Sequence, residues 1–318
     1  MGHYLVTGAA GYIGSVLCKR LKEEGHTVSS VDTKDTKPIY SDNHFFRTCF
    51  SSNVITNHVI NNKIDGIFHL AAHSLLGPSV TAPIPYFINN AGKLATFVND
   101  LIEGGWKGKF VFASTAATYG AQDTMVNEDS PKAPINPYGA SKLQAEQILE
   151  AASKAHGFSS VIFRFFNVAG GYGDVGQGLN EPHILTQLSK AGLNNTEFNI
   201  YGQSYDTPDG TCIRDYVHVL DVVNSHLLAI DILDKTTGCL KFNLGTSKGT
   251  SNKELVNMFK TVACPTLAYC YADQRPGDPD FLVADSSRFS LATGYTFPNS
   301  TLNNIISSHW DYYNYAKS

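Results

Sequence analysis

The stretch GAAGYIG, residues 8–14, follows directly on the apolar run 4–6 and opens the pattern that decides the fold. Its glycines at every third position precede an amphipathic helix in which Ile13, Leu17 and Leu21 fall one turn apart. Between a strand and a helix, such glycines allow a tight turn, a close approach of the backbone to a pyrophosphate, and close packing of helix on strand. The start of the helix also attracts an anion. We therefore predict a dinucleotide-binding turn formed by Gly8, Gly11 and Gly14.

The same glycine spacing recurs at Gly170, Gly173 and Gly176, so spacing alone does not identify the site. Only the first copy lies between a strand pattern and an amphipathic helix. The second copy runs into the polar stretch QGLNEP at 177–182, and we interpret it as a loop near the substrate.

Asp32 ends the next predicted strand, 18 residues after Gly14. A carboxylate at this place accepts hydrogen bonds from the adenosine ribose and repels a 2′-phosphate, so the sequence favours NAD over NADP. Lys34, two residues further on, weakens that preference. The alternative interpretation of Asp32 is a solvated aspartate in a turn.

The composition of the 318 residues suits a globular enzyme, with 42% hydrophobic and 16% charged residues. A net charge of −4, without a long run of Lys or Arg, argues against binding to nucleic acid or to an anionic membrane surface. No apolar stretch approaches the roughly 20 residues of a membrane span, and the first residues do not resemble a secretion leader. The six cysteines lack a C-x-x-C pair and indicate free thiols. We expect a cytoplasmic protein.

His69 and His73 are the one histidine pair whose spacing suggests a metal. They lie in the strand-like run that begins at Gly66, where four residues span about 13 Å, too far for a shared ion. We therefore predict no metal site.

Strand and helix patterns alternate through the first half of the chain. Beyond the first strand and helix, strands are predicted at 27–32, 66–71, 109–115 and 159–165, and helices at about 89–103 and 138–154. The alternation predicts an α/β fold with a Rossmann-type doubly wound parallel sheet, covered on both faces. After Phe166 the alternation loses its regularity. We divide the chain into a cofactor-binding domain at 1–168, rejoined by about 215–245, and a smaller C-terminal substrate-binding domain at 169–318.

Tyr138 and Lys142 are four residues apart and share one face of the predicted helix. A tyrosine is a poor base at neutral pH, and a nearby ammonium would lower the pKa of its hydroxyl. Ser114 and Thr115 end the preceding strand, and the carboxyl ends of parallel strands face the nucleotide, so these groups should converge. A second Tyr-x-x-x-Lys, Tyr313 with Lys317, lies in what we interpret as a polar C-terminal tail, and we take it as accidental.

Together, the glycine turn, the acidic residue after the second strand, the Ser/Thr and the YxxxK pair resemble the extended short-chain dehydrogenases/reductases. Five further segments resemble the UDP-glucose (UDP-galactose) 4-epimerases: NNAGKL (89–94), STAATYG (114–120), FRFFNVAG (163–170), TPDGTCIRDYVHVLDV (207–222) and FNLG (242–245). The likeness covers nearly the whole chain, and its most specific part is DGTCIRDYVHVLD.

This resemblance implies that bound NAD takes a hydride from C4 of a UDP-hexose and returns it to the other face of the 4-keto sugar. Tyr138 would be the general base, Lys142 would lower its pKa and hold the NAD ribose, and Thr115 would bind O4. The implied cofactor-binding residues are Gly8, Gly11, Tyr12, Ile13, Gly14, Asp32, Ala71, Ala72, Asn90, Ser114, Tyr138, Lys142 and Phe166. The implied substrate-binding residues are Thr115, Asn167, His183, Tyr201, Arg214, Arg275, Asp278 and Leu282. Without the resemblance, Arg275 would be interpreted as a surface salt-bridge partner.

Related enzymes differ in the residues that follow the hydroxyl residue. The 4,6-dehydratases place an Asp-Glu pair there and the UDP-glucuronate decarboxylases keep a glutamate nearby, whereas Ala116, Ala117 and Thr118 follow Thr115 here. The sequence departs from the epimerases at Cys49, where many members have an adenine-contacting aspartate, and in a trimmed linker at 170–183. Ser74 stands where some members have a lysine.

Several alternatives stay open. Another NAD-dependent epimerase, acting on UDP-glucuronate, a UDP-pentose or a UDP-N-acetylhexosamine, fits the same motifs, and so does a non-catalytic dinucleotide sensor. In similar epimerases a residue aligned with Leu282 controls room for an N-acetyl group; the alternative is a core leucine. The resemblance also implies a homodimer formed through two helices of each subunit.

Overall fold

The structure is a computed structural model that describes residues 1–35, 40, 44–275 and 278–318. The chain forms two compact units. Unit 1 comprises Met1–Gly120, Lys132–Arg164 and Val223–Phe242, and unit 2 comprises Ala121–Pro131, Phe165–Val222 and Asn243–Ser318.

Unit 1 is built on a seven-stranded parallel sheet. Its strands are β1 (His3–Thr7), β2 (Thr27–Asp32), β3 (Phe45–Arg47), β4 (Gly66–His69), β5 (Lys109–Thr115), β6 (Ser160–Phe165) and β10 (Cys239–Leu244). Their order is β10-β6-β5-β4-β1-β2-β3, so the chain starts in the middle of the sheet and winds outward in both directions. The predicted doubly wound α/β fold is confirmed.

Helices connect these strands. They are α1 (Tyr12–Glu23), α2 (Asn53–Asn61), α3 (Leu76–Thr81), α4 (Pro83–Phe87), α5 (Lys93–Glu103), α6 (Pro137–His156) and α8 (Val219–Lys235), which begins in unit 2. The start of α6 follows from its sequence: Pro137 suits the first helical position, and the Asn136 side chain accepts a hydrogen bond from the Gly139 amide at 2.8 Å. Gly157 ends the helix with a left-handed backbone.

Two predicted elements differ in detail. Strand β4 ends at His69, so His73 lies beyond it. The two histidines are not on one strand, and the distance of about 13 Å expected along a strand does not apply to them. The helix predicted at 89–103 is a π-helix over Ile88–Gly92 followed by α5, an irregularity that is frequent at functional sites. Within the described ranges, no group of His, Cys, Asp and Glu side chains is arranged to hold a metal ion.

The core of unit 1 packs the parallel strands against the helices. It contains aliphatic and aromatic side chains with little or no exposure, among them Leu5, Ile67, Phe97, Phe110 and Leu149. Strands such as β4 are buried throughout, as expected for a parallel sheet covered on both faces.

Unit 2 has two small sheets and four helices of its own among the described residues. In one sheet β9 (Ile213–His218) pairs with β7 (Asn167–Ala169), β11 (Gly249–Ser251) and β13 (Phe281–Leu282), and in the other β8 (Phe198–Tyr201) pairs with β12 (Tyr269–Ala272). The helices are α7 (Ile184–Asn194), α9 (Asn252–Val262), α10 (Ser287–Thr293) and α11 (Leu302–Tyr315). Of the region 215–245, β9 lies in this unit's own sheet and β10 in the sheet of unit 1.

The interpretation of Tyr313 as part of a polar C-terminal tail is wrong. Tyr313 lies on α11 and is fully buried, because the apolar side chains of this helix pack into the core of unit 2.

None of the described helices combines the length and apolar character of a membrane span.

Candidate active site

The glycine turn of unit 1 lies between β1 and α1 and is tightly packed. Gly8 has a φ of +71°, which favours glycine, and a Cβ there would lie 2.7 Å from the Ala71 amide nitrogen. A Cβ on Gly14 would lie 2.2 Å from the Gly8 carbonyl oxygen. The predicted tight turn and close helix–strand packing are thus both present. Tyr12 and Ile13 form the first turn of α1, whose N-cap Gly11 has no side chain to cover the helix end.

Asp32 braces this turn. Its Oδ2 accepts a hydrogen bond from the Ala10 amide at 2.9 Å, and its Oδ1 accepts one from the Lys34 amide at 3.0 Å. The side chain is therefore not a freely solvated turn aspartate. Each carboxylate oxygen has a second lone pair, so the group can still accept hydrogen bonds from a ribose.

Asn90 organises the loop after β4. Its side chain is 1% exposed, accepts a hydrogen bond from the His73 amide at 2.9 Å and donates to the His73 carbonyl at 2.9 Å. It also donates to the Ser141 hydroxyl on α6 at 3.0 Å. Ala71 donates its amide to the Thr7 hydroxyl at 3.2 Å, and Ala72 follows it in the same loop. The π-helix thus places Asn90 between the loop and α6.

The predicted catalytic residues of unit 1 come together at the end of β5. Tyr138, in the first turn of α6, hydrogen-bonds to the side chain of Thr115, the last residue of β5. The ring of Tyr86 packs edge-on against the Tyr138 ring, with centroids 6.5 Å apart. Lys142 lies one turn further along α6 and donates from Nζ to the Ala113 carbonyl at 2.7 Å.

Burial dominates the ionisation of this pair. It raises the pKa of the Tyr138 hydroxyl to about 12, against the opposing effect of the Thr115 hydrogen bond. It also lowers the pKa of Lys142 to about 7, although the charge of Glu146 acts in the other direction. The Lys142 amine is bonded to the β5 backbone, and burial dominates the pKa of the Tyr138 hydroxyl. The lowering of that pKa by Lys142 stays a prediction.

The Ser114 hydroxyl is engaged within the protein. It donates to Glu146 Oε1, and both side chains are buried. Glu146 in turn binds Arg164 of β6, whose Nη2 lies 2.6 Å from Glu146 Oε2. Sequence reasoning missed both Glu146 and Arg164, although Tyr138, Lys142 and Glu146 stand at a regular spacing of four residues on one helix.

Unit 2 holds most of the predicted substrate-binding residues. Arg214 of β9 is 8% exposed and donates from Nη2 to Asp278 Oδ1 at 2.9 Å. The Arg275 guanidinium lies 3.9 Å above the centre of the Tyr201 ring, so this arginine is a stacking partner rather than an isolated surface charge. Two arginines held in this way can bind a diphosphate and stack on a nucleobase.

The remaining unit 2 candidates lie on or beside β7, β9 and α7. Phe166 donates its amide to the Leu244 carbonyl at 3.1 Å, and the Asn167 side chain hydrogen-bonds to Tyr216. His183 caps α7, since its Nδ1 accepts a hydrogen bond from the Leu185 amide at 3.4 Å.

The His183 ring presents a polar atom that the protein does not satisfy. Burial lowers its pKa to about 4, so the ring is neutral at physiological pH. Its buried Nε2 has no hydrogen-bond partner within the described part of the chain, and a polar ligand group would satisfy it.

Leu282 lies on the short strand β13 and pairs in register with Arg214. It is half-buried rather than part of the buried core cluster of unit 2. The structure thus places it beside the strand that carries Arg214, and its role as a specificity residue stays a prediction.

Cys49 and Ser74 mark the departures from the epimerase pattern. Burial raises the pKa of the Cys49 thiol, but hydrogen bonds with Ser51 and the charge of Lys93 outweigh it, so the pKa is lowered overall. Cys49 is half-buried and packs against the core of unit 1. Ser74 is exposed in the loop after β4.

The residues present fit a dinucleotide. The glycines pack the turn tightly and leave the start of α1 without a side-chain cap, and Asp32 places an acceptor at the end of β2. The ammonium of Lys142 can offer a donor to a ribose hydroxyl once it leaves the Ala113 carbonyl.

Comparison with known proteins agrees with this geometry. Residues 4–245 match the model of the NAD dependent epimerase/dehydratase family. The chain is 35% identical to a UDP-glucose 4-epimerase of Lactobacillus helveticus, over 97% of this chain and 96% of that protein.

Solved structures are similar over the full length. A UDP-glucose 4-epimerase from Stenotrophomonas maltophila, crystallised with NAD and formylated UDP-arabinopyranose, superposes with a TM-score of 0.93 at 27% identity and covers 100% of this chain and 99% of that one. The UDP-glucose 4-epimerase from Bifidobacterium longum, in complex with NAD⁺ and UDP, has a TM-score of 0.88 at 28% identity, with 99% of each chain covered.

Proposed function

Since the chain belongs to the NAD dependent epimerase/dehydratase family, we propose that it interconverts UDP-galactose and UDP-glucose with tightly bound NAD. The observation that carries this proposal is the contact between Tyr138 and Thr115 at the end of β5, followed by a turn without carboxylates. A dehydratase or a decarboxylase needs an acid or a base beside the reacting carbons, whereas epimerisation needs only one group that takes and returns a proton.

The nearest carboxylate on α6 does not supply such an acid. Glu146 is 1% exposed and accepts hydrogen bonds from Ser114 and Arg164, so it is already occupied. The site therefore supports oxidation and re-reduction of the sugar without loss of water.

The roles of the chain's own residues follow from their positions. Once ionised, Tyr138 accepts the proton of the sugar 4-hydroxyl, and Thr115 orients the oxygen that loses it. Lys142 supplies a donor to the ribose and a positive charge beside the tyrosine. Bound NAD would supply the hydride acceptor and donor for C4 of the sugar. In this proposal unit 1 binds NAD and unit 2 binds the UDP moiety, through Arg214, Arg275 and their neighbours.

The experiment is to incubate the purified protein with UDP-galactose and to follow the sugars by NMR. UDP-glucose should form without added stoichiometric NAD, and NADH should not accumulate, because each turnover regenerates the cofactor. Steady formation of NADH in proportion to consumed sugar would identify a dehydrogenase instead.

We also propose that the protein is cytoplasmic and acts as a homodimer. All six cysteines are free thiols, which suits a reducing compartment. Unit 1 has four apolar side chains, each at least 52% exposed, that recur every four residues: Leu76, Val80, Ile84 and Ile88. These four residues, on α3, α4 and the π-helix, form an exposed apolar segment, which supports an interface with a second copy of the chain.

A further inference from the structure

A buried ion pair lies directly behind the proposed catalytic residues in unit 1. The side chains of Glu146 on α6 and Arg164 on β6 are each 1% exposed. Arg164 donates to both carboxylate oxygens of Glu146, at 3.0 Å from Nε to Oε1 and 2.6 Å from Nη2 to Oε2, and to the Tyr119 hydroxyl at 2.9 Å. The reaction proposed above does not use this pair.

The pair connects α6 to the end of β5. Three residues of α6, each one turn apart, contact three successive residues of β5. Tyr138 bonds to the Thr115 side chain, Lys142 to the Ala113 carbonyl, and Glu146 to the hydroxyl of Ser114 between them. A displacement of Ser114 would therefore move both neighbours, one of which bonds to the proposed base.

Glu146 is also an anion next to a buried amine. The groups that face Lys142 are Glu146 on its own helix, His69 on β4, and the Phe112 ring and Ala113 carbonyl on β5, with Arg164 on β6 behind Glu146. Burial keeps His69 neutral, with a pKa of about 3, so it adds no charge at working pH. The carboxylate of Glu146 is thus the anion that favours the ammonium form of Lys142.

We propose that Glu146 is a positioning residue for the epimerase reaction: it fixes Ser114, and with it Thr115 opposite Tyr138, and it holds an anion beside the Lys142 amine. This inference rests on the proposed function. Arg164 holds the carboxylate in place and compensates its charge. The competing explanation is that the ion pair serves folding alone, as many buried pairs do.

The test compares Glu146→Gln with Glu150→Gln. Glu150 lies one turn further along the same helix, half-buried, and pairs with Lys241, so its loss removes an ion pair without touching β5. The measurements are kcat and KM against pH, together with the Cε chemical shift of Lys142 in [6-¹³C]lysine-labelled protein. Lys142→Arg assigns that resonance.

In Glu146→Gln the pKa of Lys142 should fall by about one unit, because an opposite charge nearby is lost. An amine with a lower pKa loses its proton at lower pH, so the alkaline limb of kcat should move down by about one unit. At pH 8, kcat should fall about tenfold while KM stays within about twofold. Glu150→Gln should change neither the alkaline limb of kcat nor the pH dependence of the Lys142 Cε chemical shift.

A Glu146→Gln enzyme that is less heat-stable, yet keeps the pH profile and Lys142 shift of the unmodified protein, overturns the proposal. If this variant does not fold, Ser114→Ala carries the test, since it leaves the ion pair intact and breaks only the link to β5. An unchanged kcat in Ser114→Ala then overturns it. The Lys142 titration needs no turnover, so absence of epimerase activity in the unmodified protein contradicts the proposed function and leaves the chemical-shift result to be judged by itself.

Discussion

At the residue scale, Tyr138 must lose its own proton before it can act as a base. Burial raises the pKa of its hydroxyl to about 12, so the free phenol keeps its proton at neutral pH. Tyr138→Phe removes the proton acceptor but keeps the ring packing against Tyr86. We expect kcat to fall by about 10²–10⁴-fold, with UDP-sugar affinity nearly unchanged, as measured by turnover and by calorimetric titration with UDP-glucose.

Tyr313→Phe is the matched control for this substitution. Tyr313 belongs to the other Tyr-x-x-x-Lys sequence, is fully buried in unit 2, and has no hydrogen-bond partner for its hydroxyl among the described residues. Its loss should leave kcat unchanged and stability equal or slightly higher, because a buried hydroxyl without a partner is unfavourable. Equal losses of activity in both variants would show that Tyr138 is not the base.

Leu282 is a second residue whose role a single substitution decides. It is half-buried beside Arg214, and a leucine is smaller than a tyrosine and offers no hydrogen bond. We expect slow turnover of UDP-N-acetylglucosamine besides the main UDP-glucose and UDP-galactose reaction. Leu282→Tyr should abolish the N-acetyl activity and preserve that on UDP-galactose, as measured by product NMR. A parallel loss of both activities would identify Leu282 as a packing residue.

At the element scale, the contact between β1 and α1 has no room for a side chain. A Cβ on Gly14 would meet the Gly8 carbonyl oxygen at 2.2 Å, and a backbone atom cannot rotate away. Gly14→Ala should push α1 from the strand and destabilise the protein by about 1–3 kcal/mol. It should also reduce the amount of NAD that copurifies, which is measured by release on denaturation.

Gly77→Ala in α3 provides the comparison for that element. A Cβ at Gly77 meets no atom within 4 Å, so this variant should keep its cofactor and melt at the same temperature or higher. Loss of NAD from Gly77→Ala as well would mean that the cofactor content reports general instability rather than the turn.

The elements that the sequence predicts well are those with a clear period and marked ends. β2 has the predicted bounds Thr27–Asp32, and α6 begins one residue before Tyr138 because Asn136 and Pro137 mark its start. β3 was missed because three residues carry no period, and α2 was missed as well. The π-turn around Asn90 follows from packing against the loop after β4, which no local pattern encodes.

The candidate site likewise has features that the sequence could predict and features that it could not. The contact of Tyr138 with Thr115 could be expected from motifs, since both follow from strand and helix ends in a parallel sheet. The ion pair of Glu146 with Arg164 could not, because it joins α6 to β6 and depends on how the helix packs on the sheet. The sign of the Tyr138 pKa shift also required the structure, since burial raises this pKa and the hydrogen bond with Thr115 lowers it.

At the scale of the whole molecule, the four exposed residues of the apolar segment on α3, α4 and the π-helix predict self-association. Ile84 is 63% exposed, so Ile84→Glu costs little packing within one chain but places a charge in the proposed interface. Sedimentation velocity should show the unmodified protein as a dimer and Ile84→Glu shifted toward the 34.6 kDa monomer. Leu291→Glu serves as the control, because Leu291 is 87% exposed on α10 of unit 2, outside the apolar segment, and its substitution should leave the dimer intact. A dimer that persists in Ile84→Glu would place the interface on another surface, whereas dissociation of both variants would point to a general effect of added negative charge.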